Sequence, residues 1–304
     1  MSTILKVGTR QSALALYQSH RAIDGLRAAG VETELVKIKS SGDQILHIPL
    51  YELGVTGIFT KELDIALLDR RVDLAVHSLK DIPTQLASGL TIAAVMERDS
   101  SADILVHKGR LPVAGEKYTV ATSSLRRRAQ WLRRYPEHHV IDIRGNVNSR
   151  LAKLDAQADC DAIILAQAGL DRLDIDSHPT QVIDWMVPAP SQGAIAVVCR
   201  ADDERVLSAC KSLDHADTRR CTASERSFLR DLMGGCSMPI AALMTINQDG
   251  ISFTGCVHAL DGTQEARVDL KLPLDETNVG LKAAEAIRQR GADQILAQIR
   301  SHES

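Results

Sequence analysis

The chain changes from apolar to polar within Ala75-Val76-His77-Ser78-Leu79-Lys80-Asp81-Ile82-Pro83. Its apolar beginning predicts a buried strand from Asp73 to Val76, and Pro83 prevents a helix from starting directly before it. Ligands of open α/β sheets bind just beyond the carboxyl ends of the strands. Asp81 is therefore predicted to be an ionised carboxylate at a strand end, next to the ammonium group of Lys80. Taken alone, the stretch is more typical of an ordinary loop with a solvated Lys-Asp pair.

The N-terminal part predicts the start of a parallel sheet. A strand from Ile4 to Val7 precedes a turn, a helix that stops at Gly30, and a second strand from Glu34 to Ile38. The turn places Arg10 and Ser12 at the head of the helix, where backbone N–H groups favour anions. A plain helix cap by Ser12 is fully compatible with the same pattern.

Polar and cationic residues follow three later strands, and 25 of the 36 basic residues of the chain are arginine. The residues are Thr122, Ser123, Arg126 and Arg127 after the first strand, Arg144 and Arg150 after the second, and Ala168, Gly169 and Arg172 after the third. Sheet topology would gather these positions at one edge. Because the arginines have no paired acids in the sequence pattern, they predict a shared site for a ligand with several carboxylates or phosphates, which guanidinium groups bind in pairs of hydrogen bonds.

Three further segments have a specific interpretation. The segment from Ser40 to Gly57 is long and rich in glycine, which predicts a lid. The stretch Thr222-Ala223-Ser224-Glu225 fits a capping box that opens a helix to about Leu232. Gly234-Gly235-Cys236 places a thiol on a loop, whereas Cys199 and Cys210 fit buried positions. No cysteine has a partner at metal-ligand spacing, so we expect no zinc site.

Length and composition limit the possible classes. The length predicts two or three domains. The order of predicted elements favours three, formed by residues 1–96 with 194–213, by residues 97–193, and by residues 214–304, with the strand Ala194 to Cys199 returning to the first sheet. The net charge of -3 argues against nucleic-acid binding. Without a signal peptide or an apolar run of about 20 residues, the sequence predicts a cytoplasmic protein that does not enter membranes.

Several motifs together resemble the porphobilinogen deaminase (hydroxymethylbilane synthase) family of tetrapyrrole biosynthesis, almost from end to end. The motifs are Thr9-Arg10-Gln11-Ser12, the stretch from Ala75 to Pro83, Thr122-Ser123-Ser124-Leu125-Arg126-Arg127, Arg144-Gly145-Asn146-Val147, Asp161-Ala162-Ile163-Ile164-Leu165-Ala166, Gln192-Gly193-Ala194 and Gly234-Gly235-Cys236. The resemblance implies two α/β domains like periplasmic binding proteins, with parallel-rich sheets, and a small C-terminal α+β domain.

The resemblance also implies a reaction. A dipyrromethane cofactor, attached to Cys236 through a thioether, primes the condensation of four porphobilinogen units with loss of ammonia, and the linear hydroxymethylbilane is released. Asp81 would be the catalytic carboxylate. The cofactor- and substrate-binding residues implied are Arg10, Ser12, Gln18, Ser78, Lys80, Thr122, Ser123, Arg126, Arg127, Arg144, Arg150, Ala168, Gly169 and Arg172. The resemblance further implies a monomer that acts on a small molecule.

The chain departs from the family pattern at four positions. Ser41 and Thr56 stand where the family often has basic residues in the lid, and Ala121 and Ser191 replace usual glycines. Two alternatives stay open at this point: an organic-anion-binding protein with the same two-domain architecture, and a degenerate relative that holds the cofactor without efficient turnover.

Overall fold

The computed structural model describes residues 4–39, 60–233 and 238–303. Within them the chain forms two five-stranded sheets and one three-stranded sheet, each covered by helices. The predicted lid, including Ser41 and Thr56, and the Cys236 loop lie outside the described residues.

The first sheet has the strand order β2-β1-β3-β10-β4. Its strands are β1 (Leu5–Thr9), β2 (Thr33–Lys37), β3 (Leu74–Ser78), β4 (Leu90–Val95) and β10 (Ile195–Arg200), and its helices are α1 (Ala13–Ala28), α2 (Lys61–Leu68) and α6 (Glu204–Cys210). Strand β1 pairs in parallel with β2 and β3, whereas β10 lies antiparallel between β3 and β4. All six residues of β10 are buried, which is why this apolar strand occupies the interior of the sheet. The predicted return of the chain to the first sheet is confirmed.

The second sheet has the strand order β7-β6-β8-β5-β9. Its strands are β5 (Asp103–His107), β6 (Thr119–Ala121), β7 (His139–Ile141), β8 (Ala162–Ala166) and β9 (Thr180–Val182), and its helices are α3 (Leu125–Arg134), α4 (Val147–Ala156) and α5 (Gln167–Asp171). Strand β6 pairs in parallel with both neighbours, whereas β5 pairs antiparallel with β8 and β9. Strand β9 was not predicted, because its three residues are exposed at the sheet edge and carry no apolar pattern.

The C-terminal part is a three-stranded antiparallel meander with three helices. Its strands are β11 (Ile240–Asn247), β12 (Gly250–His258) and β13 (Glu265–Leu272), and its helices are α7 (Ala216–Asp231), α8 (Val279–Arg288) and α9 (Ala292–Glu303). Phe228 and Phe253 meet edge to face at a centroid distance of 5.3 Å in its core. This part is the predicted small α+β unit. The predicted fold class, two α/β units with parallel-rich sheets followed by this unit, is confirmed.

The predicted start of the helix before Cys236 is wrong. Helix α7 begins at Ala216, and the side chain of His215 caps it by accepting from the Thr218 N–H. The Thr222 hydroxyl therefore lies inside the helix and donates to the Thr218 carbonyl at 2.8 Å. Glu225 is fully buried and does not turn back to cap a helix end.

Two crossing segments, residues 96–102 and 183–194, connect the first two sheets and hydrogen-bond to each other. The Asp99 N–H donates to the Gly193 carbonyl at 3.2 Å. Gly193 has a φ of +87°, and a Cβ there would lie 2.5 Å from the Ser100 carbonyl oxygen, so the close approach of the two segments requires glycine.

Candidate active site

Strand β3 carries the predicted catalytic region to the carboxyl end of the first sheet. It ends at Ser78 and continues as a 3-10 turn over Leu79–Asp81. Leu79 and Ile82 are buried and hold this turn against the core, which leaves Asp81 partly buried at the sheet edge. The predicted strand end is therefore present.

The start of α1 lies next to this turn. The Gln18 side-chain amide donates to the Ser78 hydroxyl at 2.7 Å, so two predicted site residues are in contact. The Ser12 hydroxyl accepts from the Ala15 N–H at 3.3 Å and thus serves as the helix cap that the sequence allowed. Burial, followed by the nearby charge of Arg10, lowers the pKa of His77 to about 4.

On the second sheet, a buried acid pairs with two of the predicted arginines. Asp103 is fully buried at the start of β5. The Arg126 guanidinium donates to its Oδ2 at 2.7 Å, and Nε of Arg127 donates to its Oδ1 at 3.0 Å. Burial would raise the pKa of Asp103, but the two guanidinium groups and their hydrogen bonds outweigh this and hold it below its ordinary value. The expectation that these arginines lack paired acids is therefore wrong.

The arginine that follows the third strand is also paired with an acid. Arg172 is buried; its Nε donates to Asp99 Oδ2 at 2.8 Å and its Nη2 donates to the Gly193 carbonyl at 2.6 Å. Asp99 also accepts from Arg21 of α1 at 2.6 Å. Arg172 thus joins α1 and the two crossing segments, and the expectation of an unpaired cation fails here too. Arg172 is paired because both crossing segments contact it, one through Asp99 and the other through Gly193.

Charges from both sheets act on Lys80. Its pKa is lowered to about 8, mainly by burial. The charges of Asp81 and Asp103 oppose this, while those of Arg127 and Arg126 add to it. Because Asp103 and the two arginines belong to the second sheet, Lys80 lies within electrostatic range of both halves of the predicted site.

Arg150 is the second side chain on which charges from both sheets act. Its pKa is lowered to about 10, first by burial and then by the charges of Arg127 and Arg144, with Asp81 opposing. Its Nε donates to the Gly145 carbonyl at 2.8 Å at the start of α4. We call Lys80, Asp81, Arg127, Arg144 and Arg150 the Asp81 cluster, because it consists of Lys80, Arg150 and three residues whose charges act on one or both of them.

The remaining predicted residues shape the backbone around this cluster. The Ser123 hydroxyl donates to the Ile143 carbonyl and accepts from the Ile143 N–H, both at 2.9 Å. Thr122 is buried and accepts from the Ser124 N–H at 3.2 Å. Ala168 and Gly169 are buried in α5, and a Cβ on Gly169 would lie 3.6 Å from Val147 of α4.

Apart from Arg172, sequence reasoning missed a group of residues at the crossing segments. Arg98 pairs with Glu225 of α7 at 2.7 Å, and its Nε donates to the Gln192 carbonyl at the same distance. The Gln192 side chain donates to Asp103 Oδ1 at 2.9 Å. We call Arg98, Asp99, Arg172, Gln192 and Glu225 the hinge cluster. The sequence gives a signal only for Asp103, the acid that Gln192 contacts: it stands at the head of the otherwise apolar strand Asp103-Ile104-Leu105-Val106.

The described residues contain one group with metal-ligand chemistry, Cys256, His258 and Glu265, whose ligand atoms lie within 4.8 Å of one another. The spacing argument overlooked that residues two apart on a strand face the same side. Arg133 already pairs with Glu265 at 3.2 Å, and burial raises the pKa of Cys256 to about 12. Both features disfavour a metal there. Among the described helices, none is long and apolar enough to cross a membrane.

Two solved structures align with the chain at low sequence identity. The methionine binding protein MetQ aligns with a TM-score of 0.44 and 14% identity, covering 73% of this chain and 94% of that one. The Bordetella pertussis BvgS VFT2 domain (double mutant) aligns with a TM-score of 0.42 and 15% identity, covering 74% and 92%.

Sequence comparison is far more specific. Residues 5–208 match the family model "Porphobilinogen deaminase, dipyromethane cofactor binding domain", and residues 218–289 match "Porphobilinogen deaminase, C-terminal domain". A porphobilinogen deaminase of Chloroherpeton thalassium is 39% identical and covers 99% of both chains. One of Desulforudis audaxviator is 42% identical and covers 97% of both. The chain belongs to the porphobilinogen deaminase family.

Proposed function

We propose that this chain is a transferase that condenses four porphobilinogen units head to tail, with loss of ammonia, and releases hydroxymethylbilane. The observation that carries the proposal is the Asp81 cluster: the Asp81 carboxylate acts electrostatically on Lys80 of the first sheet and on Arg150 of the second, and Arg127 and Arg144 add further positive charge. Each porphobilinogen brings an acetate and a propionate, so a growing chain needs such cations. The family assignment supports the same reaction.

The residues of the Asp81 cluster fit a dipyrromethane cofactor. Its carboxylates match Lys80, Arg144 and Arg150, since ammonium groups attract carboxylates and guanidinium groups bind them in parallel hydrogen bonds. When bound, the cofactor supplies the pyrrole carbon to which the first substrate unit is added. We propose Cys236 as its attachment point, because the described cysteines are all buried and the sequence places Cys236 in a glycine-rich loop after α7.

Asp81 has the central role in this proposal. Loss of ammonia from porphobilinogen leaves an electron-poor carbon, and the attacking pyrrole also becomes cationic. A carboxylate close to the pyrrole N–H groups stabilises both charges and accepts a proton, which combines electrostatic and general-base catalysis.

The other site residues have graded roles. Arg10, Lys80, Arg144 and Arg150 would contact substrate or cofactor carboxylates directly. The hydroxyls of Ser12, Ser78, Thr122 and Ser123, together with Gln18, would hold the backbone turns that present these cations, and Ala168 with Gly169 would form the floor. Arg126, Arg127 and Arg172, which pair with buried acids, would position the ligand through fixed geometry.

The proposal includes the organisation expected from the sequence. We propose three domains at residues 1–96 with 194–213, 97–193 and 214–304. The family matches at residues 5–208 and 218–289 support a separate C-terminal unit. We also propose a cytoplasmic monomer whose partner is the small-molecule substrate, without nucleic-acid or membrane binding.

Intact-mass measurement of the purified protein, followed by peptide mapping, tests the proposal. We expect a mass raised by two porphobilinogen units less two ammonias, located on the peptide that contains Cys236. A Cys236→Ser variant should lack the addition. A wild-type chain that stays unmodified after incubation with porphobilinogen would favour the organic-anion-binding alternative, and a modified chain without turnover would favour a degenerate relative.

A second experiment tests the central residue. Asp81→Ala should lower turnover by about a thousandfold while Cys236 stays modified, because the carboxylate acts on the reacting atoms. Asp159→Ala, at an exposed turn before β8, is the matched control and should retain activity. Full activity of Asp81→Ala would reject the assignment.

A further inference from the structure

We propose that Asp103 is a positioning residue of this site: it fixes Arg126 and Arg127 and balances one of their two charges. This inference rests on the proposed function only for its kinetic consequence. Asp103 is the first residue of β5, and its carboxylate is completely buried. It therefore acts on the ligand only through the cationic side chains around it.

The geometry fixes Arg127 from two sides. Its Nε donates to Asp103 Oδ1 at 3.0 Å, while its Nη1 donates to the Ile164 carbonyl of β8 at 2.8 Å. Arg126 donates from Nη1 to both Asp103 Oδ2 and the Val187 carbonyl, each at 2.7 Å. A long cationic side chain loses much rotational freedom when it binds a ligand. Here Asp103 has already restricted both side chains, so less entropy remains to be lost on binding.

A donor from the hinge cluster orients Asp103 in turn. The Gln192 amide donates to Asp103 Oδ1 at 2.9 Å and to the Ser101 carbonyl at 2.8 Å. Gln192 lies in the returning crossing segment, whereas Ser101 lies in the outgoing one. The position of the arginine pair is therefore tied to both connections between the first two sheets.

The charge balance extends to the first sheet. Asp103, Arg126 and Arg127 together carry one net positive charge, and all three act on Lys80, as does Asp81 beside it. Without the Asp103 charge, two uncompensated guanidinium groups would face Lys80. They would disfavour its ammonium form and weaken its attraction for a substrate carboxylate. Asp103 thus keeps Lys80 charged as well as holding the arginines.

Asp103→Asn tests this role, because it preserves side-chain size and removes the charge. We expect KM for porphobilinogen to rise by about ten- to a hundredfold, the loss typical of disturbed hydrogen bonds to charged groups. Asp73→Asn is the matched control. Asp73 also pairs with two arginines, Arg200 and Arg205, but belongs to a different cluster, and its variant should keep the wild-type KM.

A titration separates positioning from a merely structural role. In holoenzyme carrying 13C-dimethylated lysines, with the Lys80 signal assigned through Lys80→Arg, we expect the Lys80 pKa to fall in Asp103→Asn and to rise in Arg127→Gln. An unchanged Lys80 pKa together with an unchanged KM in Asp103→Asn would overturn the proposal. The titration needs no turnover, so an inactive wild-type enzyme would reject the proposed function without deciding the role of Asp103.

If Asp103→Asn does not fold, Gln192→Leu provides the milder test. It removes the donor that orients Asp103 while keeping every charge. We expect a several-fold rise in KM with little change in the Lys80 pKa. A wild-type KM in this variant would overturn the proposal.

Discussion

Arg98 and Arg172 of the hinge cluster and Arg150 of the Asp81 cluster are the same residue type in opposite surroundings. Arg98 and Arg172 are paired with Glu225 and Asp99 and also donate to backbone carbonyls. Arg150 has no acid within salt-bridge distance among the described residues, and two of its electrostatic neighbours are arginines. Satisfied guanidinium groups hold the elements together, whereas crowded cations carry an electrostatic cost that a polyanionic ligand would relieve.

The largest expected effect comes from breaking the hinge cluster. Glu225 is fully buried and accepts four hydrogen bonds, two from Arg98, one from the Ser191 N–H and one from the Met244 N–H. Glu225→Gln should lower the free energy of unfolding by about 3–5 kcal/mol, because it leaves the largely buried Arg98 charge without an anionic partner. Urea denaturation measures this loss.

The control for Glu225→Gln is an exposed ion pair of the same C-terminal unit. Arg267 and Asp269 are 2.9 Å apart, with side chains 41% and 57% exposed. Asp269→Asn should change the free energy of unfolding by less than about 1 kcal/mol. If both variants lose the same stability, burial of Glu225 does not decide its contribution and the comparison fails.

Strands that consist of a continuous apolar run were predicted correctly from the sequence. Strands β4, β8 and β10 are such runs, and the return of β10 to the first sheet followed from them. The start of α7 was misplaced because Thr222-Ala223-Ser224-Glu225 fits a capping box in any context. Only tertiary packing shows that Glu225 is used for Arg98 instead of a helix end.

The division of the arginines could not be predicted, because it depends on pairing between distant segments. Asp103 precedes Arg126 by 23 residues, and the two meet only because β5 lies antiparallel to β8 within the second sheet. The sequence identified the cationic positions, and the strand order decides which of them receive an acid. That order places Arg150 beside Arg127 and Arg144 while Arg126 and Arg127 share Asp103.

Replacing one arginine in each cluster by glutamine tests whether the two clusters differ in their effects on KM and on stability. Arg150→Gln should raise KM for porphobilinogen by about ten- to a hundredfold, since it removes a charged donor to a substrate carboxylate. Its thermal midpoint should stay unchanged or increase, because like-charge repulsion is relieved. Steady-state kinetics and thermal unfolding of the same preparation measure both effects.

Arg172→Gln should show mainly the opposite effect. It breaks the contacts to Asp99 and to the Gly193 carbonyl, so the free energy of unfolding should fall by about 2 kcal/mol. Its KM should change less than that of Arg150→Gln. A larger change in KM for Arg172→Gln would place the direct ligand contact in the hinge cluster and reverse the assignment.

Acid pH tests the cost of protonating His77, which is buried at the end of β3 near Arg10. His77 is buried near Arg10, and its pKa in the folded protein is lowered to about 4 from an ordinary value of 6.5. Between these values the unfolded chain binds a proton that the folded chain excludes. Stability is therefore fully present above pH 6.5, and below it the free energy of unfolding should fall by about 1.4 kcal/mol per pH unit.

His77→Gln should remove this part of the pH dependence. Between pH 7.5 and 5.5 we expect the wild-type protein to lose about 1 kcal/mol more than the variant in urea denaturation. His139→Gln, at an exposed imidazole, is the control and should retain the wild-type slope. Equal slopes in wild type and His77→Gln would show that burial and the Arg10 charge do not lower the pKa of the His77 imidazole.

The smallest effect is expected at Ser191, which precedes Gln192 of the hinge cluster and has a strained backbone. Ser191 has a φ of +67° in the returning crossing segment, and its buried hydroxyl has no hydrogen-bond partner among the described residues. A left-handed backbone strains any residue with a Cβ by about 1–2 kcal/mol, and glycine relieves it at some cost in chain entropy. Ser191→Gly should therefore raise the free energy of unfolding by about 1 kcal/mol while the Ser191 N–H contact to Glu225 persists.

Asp174→Gly is the matched control for that relief. Asp174 also has a positive φ, +51°, but aspartate tolerates this conformation better than serine does. Its gain in thermal midpoint should be smaller than that of Ser191→Gly. A lower midpoint for Ser191→Gly would mean that the serine side chain stabilises the crossing segment. The hinge cluster would then be stabilised by packing of that side chain in addition to its ion pairs, and the contrast with the Asp81 cluster would rest on packing as well as on charge.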